Sequence, residues 1–179
     1  WALDKEVISK MKKAGCYRIT FGIESGCPKS QAYIRKILDH GKIVKFIKIC
    51  HKNHIWVCGT FIIGFPYETR ENILETKDFI FNSGINFPFV YVAQPYLGTD
   101  MYNDFKKEGL LTNIKKTSNL LDSKYNTLYL TSEELNRMRE EVYMEFYRYK
   151  IISYFNPIIF YEEFLSKVRS YEDLKYIFK

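Results

Sequence analysis

The sequence predicts an α/β fold in which three βα units build a parallel sheet and a helical extension follows. Three observations carry this. Strand-like stretches alternate with helix-like stretches, and successive strands begin about 30 to 40 residues apart. The middle strand, "IWVCGTFIIGFP", is apolar on both faces, as a strand buried inside a parallel sheet should be. From about residue 110 the alternation stops and long helical periodicity takes over.

The elements follow in order. Asp4 is placed to cap a helix over residues 5–14, with Val7, Ile8, Met11 and Ala14 on one face and Gly15 as its stop. "CYRITFGIE" then alternates. Tyr17, Ile19, Phe21 and Ile23 point one way, and Arg18, Thr20, Gly22 and Glu24 point the other. In "SGCPKSQAYIRKILDHG", Pro28 suits a first helical turn and Gly41 suits a stop, which puts Lys36 on that helix. "KIVKFIKICHKN" is a further helix leading to the middle strand. Thr69 caps a helix over residues 70–83 that Gly84 closes. "FPFVYVAQP" is the third strand, and Thr99 caps a short helix ending at Gly109. Such repetition implies parallel strands joined by right-handed crossovers.

Beyond this, "LTNIKKTSNLLDSKYNT" reads as an irregular linker. "TSEE" at residues 131–134 is a capping box for a long helix. Its apolar stripe is Leu135, Met138, Val142, Phe146, Tyr149 and Ile152. Asn156-Pro157 ends it, and two shorter helical patterns complete the chain. The expected organisation is a βα region over residues 1–111 and a helical extension over residues 112–179.

The chain has 179 residues and a net charge of +6, from 27 basic and 21 acidic side chains. The excess is scattered, so charge does not mark a nucleic-acid binder. No stretch is apolar for the roughly 18 to 20 residues that a membrane span needs. The charged, amphipathic start is no signal peptide, and without an initiator Met the expectation is an internal piece of a longer cytoplasmic protein. The four cysteines, Cys16, Cys27, Cys50 and Cys58, are separated by 11, 23 and 8 residues, which matches no zinc or redox motif. Buried thiols are expected, with Cys16 and Cys58 in strands and Cys50 in a helix.

In parallel α/β folds ligands gather at the carboxyl ends of the strands. The three exits are Gly22-Ile23-Glu24-Ser25-Gly26, Thr60-Phe61-Ile62-Ile63-Gly64-Phe65-Pro66 and Gln94-Pro95-Tyr96-Leu97-Gly98-Thr99. Glu24 and Gln94 offer hydrogen-bonding groups to a polar ligand. Main-chain groups after Ile62 and Gly64 are expected to be open and able to bracket a flat ring. Each feature also has an ordinary reading: Glu24 as an ion-pair partner, Gly64-Phe65-Pro66 as a turn, Lys36 as a solvated charge.

Taken in order, "MKKAGCYRITFGIESG", "YIRK", "GTFIIGFPYETREN" and "PYLGTDMYNDFKKEGLL" resemble the second half of a radical S-adenosylmethionine (SAM) enzyme's catalytic domain. The similarity is nearest to the group whose members often carry a cobalamin-binding domain, which includes the anaerobic magnesium-protoporphyrin IX monomethyl ester cyclase type. It is specific over residues 4 to about 111 and looser through "LTSEELNRMREEVYMEFYRYK". The resemblance implies a partial, six-stranded TIM-like barrel of which this chain supplies the last three strands. An N-terminal half-barrel would then be missing, and the raw edge of the first strand would favour self-association.

The resemblance also implies roles. Glu24, with Ser25 beside it, matches the residue at the fourth family strand's end that contacts SAM. Lys36 matches a basic position that reaches the SAM carboxylate or a ribose hydroxyl. Thr60 aligns with a ribose-facing position. Thr60, Ile62 and Gly64 carry the family's loose "GxIxG", whose backbone packs against adenine. Gln94 and Pro95 match the last strand's exit. The implied cofactors are SAM, a [4Fe-4S] cluster and, outside this chain, cobalamin. The reaction would be reductive SAM cleavage for methylation, cyclisation or rearrangement of a small molecule.

One departure is large: the family's CxxxCxxC, which gives three thiolates to the cluster, is absent here. No residue of this chain is therefore expected to be catalytic or to bind metal, and the chain alone is expected to be inactive. Two other readings are a non-catalytic protein- or RNA-interaction module that retains a half-barrel, and an unrelated βα enzyme for a phosphorylated ligand. The latter lacks a glycine-rich anion cradle.

Overall fold

The computed structural model describes residues 4–111, 122, 124–168 and 170–171. Most of the expected linker, "LTNIKKTSNLLDSKYNT", and the end of the chain lie outside them. Helix α1 (Lys5–Lys13) precedes strand β1 (Arg18–Glu24); α2 (Pro28–Tyr33) and α3 (His40–Lys52) lead to β2 (Trp56–Ile63). Helix α4 (Arg70–Asn82), β3 (Phe87–Val92) and α5 (Asp100–Lys107) follow, then α6 (Ser132–Ser153), α7 (Pro157–Glu163) and a 3-10 turn at Leu165–Lys167. The sheet is parallel throughout, in the order β1-β2-β3.

Local chemistry starts the helices where the sequence places them. Asp4 accepts from the Val7 N–H at 2.9 Å, and Thr99 accepts from the Tyr102 N–H at 3.1 Å. Thr69 and Thr131 each form a reciprocal capping box, with Asn72 and Glu134 respectively. Asn156 caps α7, and Pro157 stands in its first turn.

The core lies on one face of the sheet. Ile23 of β1, Val57, Phe61 and Ile63 of β2, and Val90 and Val92 of β3 pack with Ile43, Phe46 and Ile47 of α3 and with Ile73 and Ile80 of α4. Leu135, Met138, Val142 and Phe146 of α6 join the same core. The other face is more open. Thr20 and Phe89 are exposed, and Gly22, Thr60, Ile62 and Tyr91 are half-buried. So β2 is not buried along its whole length: it opens at Thr60 and Ile62, towards its carboxyl end.

Three sequence expectations need correction. The helix after β1 does not run to Gly41. It ends at Tyr33, with Ile34 as its cap, because Arg35 takes a left-handed backbone with φ of 55°. Gly41 instead sits in the first turn of α3, which Asp39 caps through the Lys42 N–H at 3.0 Å. Lys36 therefore stands in a connecting loop, not on a helix. Cys16 lies just before β1 and donates to the Arg18 carbonyl at 3.5 Å. Finally, the α6 stripe stops early: Tyr149 and Ile152 are exposed, and Lys150 is buried in their place. Its ammonium donates to Glu163 Oε2 at 2.6 Å, so an ion pair joins the contact of Tyr154 with Phe160 in closing the α6–α7 turn.

Helix α6 also closes one edge of the sheet. The Tyr143 hydroxyl accepts from the Val90 N–H at 2.7 Å and donates to the Val90 carbonyl at 3.4 Å. An unpaired strand edge is thereby blocked by a side chain. Tyr143→Phe should cost about 1–3 kcal/mol, the usual penalty for a buried N–H left without a partner. Chemical denaturation of the two proteins checks this; a loss below about 0.5 kcal/mol would mean that water replaces the hydroxyl.

Candidate active site

The most unusual backbone in the sheet is at the end of β1. Gly22 stands beside Thr60 and Glu24 stands beside Phe61, so the register slips by one residue between them. Glu24 takes a φ of 67°, a left-handed conformation rare for a residue with a Cβ. Such strain typically costs on the order of 1–3 kcal/mol and persists only where the surroundings impose it. Its effect is to fold the carboxylate back over Gly22. A Cβ at Gly22 would collide with Glu24 Oε1 and come within 3.0 Å of Lys36 Nζ. Glycine is needed at 22 for room, not for its own conformation.

Lys36 completes the arrangement. Its ammonium donates to Glu24 Oε1 at 2.8 Å and to the Gly22 carbonyl at 3.0 Å. The lysine side chain is 40% exposed and the glutamate 22%. A half-exposed pair contributes at most about 1 kcal/mol to stability. It leaves a negative and a positive group side by side at the carboxyl end of the sheet. A ligand with an ammonium and a carboxylate can meet both by exchanging one internal ion pair for two external ones.

The turn after Glu24 is held from behind. Ser25 is fully buried; its hydroxyl lies 2.9 Å from Thr76 Oγ1 and accepts from the Cys27 N–H at 3.0 Å. The Gly26 N–H donates to the same Thr76 oxygen at 3.1 Å. Ser25 thus fixes the turn against α4, and its side chain faces the packing rather than the rim. The Gln31 amide donates to the Ser25 carbonyl at 2.7 Å, and the Gln31 carbonyl accepts from the Lys36 N–H at 2.9 Å. One short helix therefore ties the acidic turn to the basic loop.

At the second exit the expected open main chain is not open. The Gly64 N–H donates to Glu68 Oε2 at 2.7 Å and the Phe65 N–H to the same oxygen at 3.4 Å. The Ile63 carbonyl accepts from the Ala93 N–H at 2.8 Å. Gly64, with φ of 86°, is buried, and a Cβ there would come within 3.2 Å of Leu135. Thr60 and Ile62 remain half-buried on the second face. At the third exit Pro95 is buried, and the Gln94 amide donates to the Asp122 carbonyl at 3.4 Å. Glu24 and Lys36 are thus in direct contact, Thr60 neighbours them through Gly22, and Gln94 stands at the next exit but one with its amide turned aside.

Sequence reasoning passed over Glu68. It is 2% exposed, and burial pushes its carboxyl up to about 7 in spite of the hydrogen bonds it accepts. The signal was the carboxylate in "GFPYET", directly before a threonine cap. A cavity of about 190 Å³ beside it is lined by Lys29, Ser30, Tyr33, Phe65, Tyr67 and Asn72. A roomier one, of about 560 Å³, lies at the opposite end of the sheet between α3, the close of α4 and α7. It is far from the strand exits, and its lining includes His51 and Glu163, which already bond to the Gly84 carbonyl and to Lys150 respectively.

Residues 1–80 match the Radical SAM superfamily. The matched stretch is a little under half of the chain. It contains the strained Glu24, its partner Lys36 and the whole second exit. Over 145 residues, 80% of the chain is 30% identical to an uncharacterised methyltransferase of Pyrococcus horikoshii, of which it covers 32%. Over 167 residues it is 27% identical to bacteriochlorophyllide d C-8(2)-methyltransferase of Chlorobaculum tepidum, spanning 92% of this chain and 34% of that protein. It is also 27% identical, over 118 residues, to cytidylyl-2-hydroxyethylphosphonate methyltransferase of Streptomyces wedmorensis, spanning 62% of this chain and 22% of that protein. The chain therefore spans about a third or less of the length of these relatives.

Radical SAM enzymes use SAM and a [4Fe-4S] cluster, and the residues present fit these two groups differently. The Glu24–Lys36 pair suits the amino-acid tail of SAM. For the cluster, Cys27, Cys50 and Cys58 are buried, all four thiols are free, and no group of three or more metal-ligating side chains exists among the described residues. Burial raises the pKa of Cys50 to about 12 and also raises those of Cys27 and Cys58, so none of these three is poised as a thiolate ligand. Among the described residues no helix is long and apolar enough to cross a membrane.

Proposed function

We propose that this chain forms part of the SAM-binding rim of a radical SAM enzyme that methylates a small molecule. The observation that carries the proposal is the strained Glu24, held over Gly22 against Lys36 at the exit of β1, inside the stretch that matches the superfamily. In this reading Glu24 receives the SAM ammonium or a ribose hydroxyl, and Lys36 receives the carboxylate. Thr60 and Ile62 flank the nucleoside on the open face, and Gln94 and Pro95 border the substrate side. Methylation is favoured over cyclisation or rearrangement because relatives from three organisms are named as methyltransferases.

The cluster ligands belong, in this proposal, to residues outside these 179, as does a cobalamin-binding domain. The chain by itself would then bind SAM weakly and turn nothing over. Self-association through the outer edge of β1 is part of the same reading, and sedimentation at rising concentration reports it.

Replacing Glu24 tests the proposal. Glu24→Gly removes the carboxylate and relieves the positive φ, so melting should stay within a few degrees of the parent or rise. Affinity for S-adenosylhomocysteine should fall roughly 10-fold or more, as expected for one lost charge-assisted hydrogen bond. Calorimetric titration of the parent, Glu24→Gly and Lys36→Met decides it. Unchanged affinity in both variants would remove the rim from the cofactor site.

A further inference from the structure

Glu68 touches both halves of the proposed rim at once. Its Oε2 accepts from the Gly64 and Phe65 N–H groups, at 2.7 and 3.4 Å, in the turn that ends β2. Its Oε1 accepts from the Ser30 hydroxyl at 2.6 Å, on α2. Ser30 is buried, and its neighbour Gln31 holds both the Ser25 carbonyl and the Lys36 N–H. A further bond, from the Leu38 N–H to Gln31 Oε1 at 3.1 Å, keeps the loop carrying Lys36 close to α2. The path from Glu68 to Lys36 is continuous: carboxylate, Ser30, Gln31, loop.

We infer that Glu68 is a positioning residue that clamps the β2 exit to α2 and thereby sets the distance between the Gly64 turn and the Glu24–Lys36 pair. The inference rests on the reading of that rim as a SAM site. A buried carboxyl at this point is costly unless it serves several donors, and Glu68 serves three, one on α2 and two in the turn after β2. An apolar residue would leave two buried N–H groups without acceptors. Glutamine preserves the pattern, because its carbonyl can accept from the two N–H groups while its amide donates to the Ser30 oxygen.

The experiment compares Glu68→Ala, Glu68→Gln and Ser30→Ala in the full chain by two readouts. One is amide hydrogen exchange at Gly64 and Phe65, measured relative to core amides; the other is affinity for S-adenosylhomocysteine. In Glu68→Ala both amides should exchange roughly 10-fold faster and affinity should fall about 10-fold, the scale of one buried hydrogen bond to a charged group. Glu68→Gln should restore both. Ser30→Ala cuts only the α2 arm: the amides should stay protected while affinity falls, and this variant decides the matter if Glu68→Ala does not fold. Amides that stay protected in Glu68→Ala, a Glu68→Gln that behaves like alanine, or full affinity in Ser30→Ala would each overturn the clamp. If the parent binds no nucleoside, the SAM reading fails, and exchange at Gly64 and Phe65 still decides whether the clamp exists.

Discussion

Gly26→Ala is expected to destabilise the fold by about 3 kcal/mol or more, the upper end for an overpacked site. For a chain of this size that is roughly 10 °C in melting temperature. The methyl group would stand 2.5 Å from Phe79 Cβ, 2.9 Å from Thr76 Cα and 3.1 Å from the Glu75 carbonyl. Two of these neighbours are α4 backbone, and the third is a Cβ fixed to it, so none can swing aside. The β1 exit would have to lift off α4, breaking the bonds from Ser25 and Gly26 to Thr76.

Gly22→Ala is the natural control, because its added methyl meets only the far ends of Glu24 and Lys36. Those side chains can rotate away, so the fold should survive while the ion pair is lost. Thermal melts of the two variants separate the cases. A Gly26→Ala protein melting within about 2 °C of the parent would show that the turn is not packed as described.

The second large effect is on pH dependence. Lys167 is 1% exposed, with its ammonium 2.6 Å from His51 Nδ1, 3.4 Å from Asn86 Oδ1 and 5.1 Å from the centre of the Trp56 ring. His51 Nε2 lies 2.8 Å from the Gly84 carbonyl, which makes Nε2 the donor and leaves Nδ1 as an acceptor for the lysine. Burial lowers Lys167 from 10.5 to about 7, with the nearby Glu163 opposing the shift and Lys150 adding to it. Burial, then the charge of Lys167, lowers His51 to about 4.

The sign of the effect follows from proton counts. Between pH 7 and 10.5 the unfolded chain holds more of the Lys167 proton than the folded one, so stability rises with pH. Above about pH 8.5 the unfolded cysteines ionise while the buried ones stay protonated, which pulls the other way. Near neutrality Glu68, raised to about 7, also pulls the other way, so the clear window is about pH 7.5 to 8.5. Stability should rise there by at most about 1.4 kcal/mol, or roughly 4 °C. Lys167→Met keeps apolar bulk beside Trp56 and removes the proton, so its melting temperature should be flat across the window. A parent that is equally flat would mean that Lys167 is solvated in solution.

Much of the fold was legible because its signals are local. A threonine or aspartate three residues before its N–H partner announces a helix, and Asp4, Thr69, Thr99 and Thr131 all do so. Alternation in "RITFGIE" gave β1 its two faces, and the apolar run in "WVCGTFII" made β2 central. The presence of a carboxylate at the first exit was readable too, since Glu24 ends a strand. Its strain was not, because nothing in "GIES" states that the register slips beside β2.

What escaped the sequence depends on partners far away. Gly41 looked like a helix stop because glycine commonly is one. Arg35 ended that helix earlier, and the bonds Gln31 makes to Lys36 and Leu38 shaped the loop that followed. Nothing local marks Lys150 and Lys167 as buried; Glu163 and His51, which make that possible, are brought beside them only by the fold. Glu68 drew no reading of its own, because the Ser30 that closes on it lies 38 positions earlier. The sequence by itself determined the elements, their order and the parallel sheet, because capping and alternation act within a few residues. The tertiary structure alone decided which polar groups are buried and which face the rim, because a buried charge is tolerable only once the fold supplies its partner.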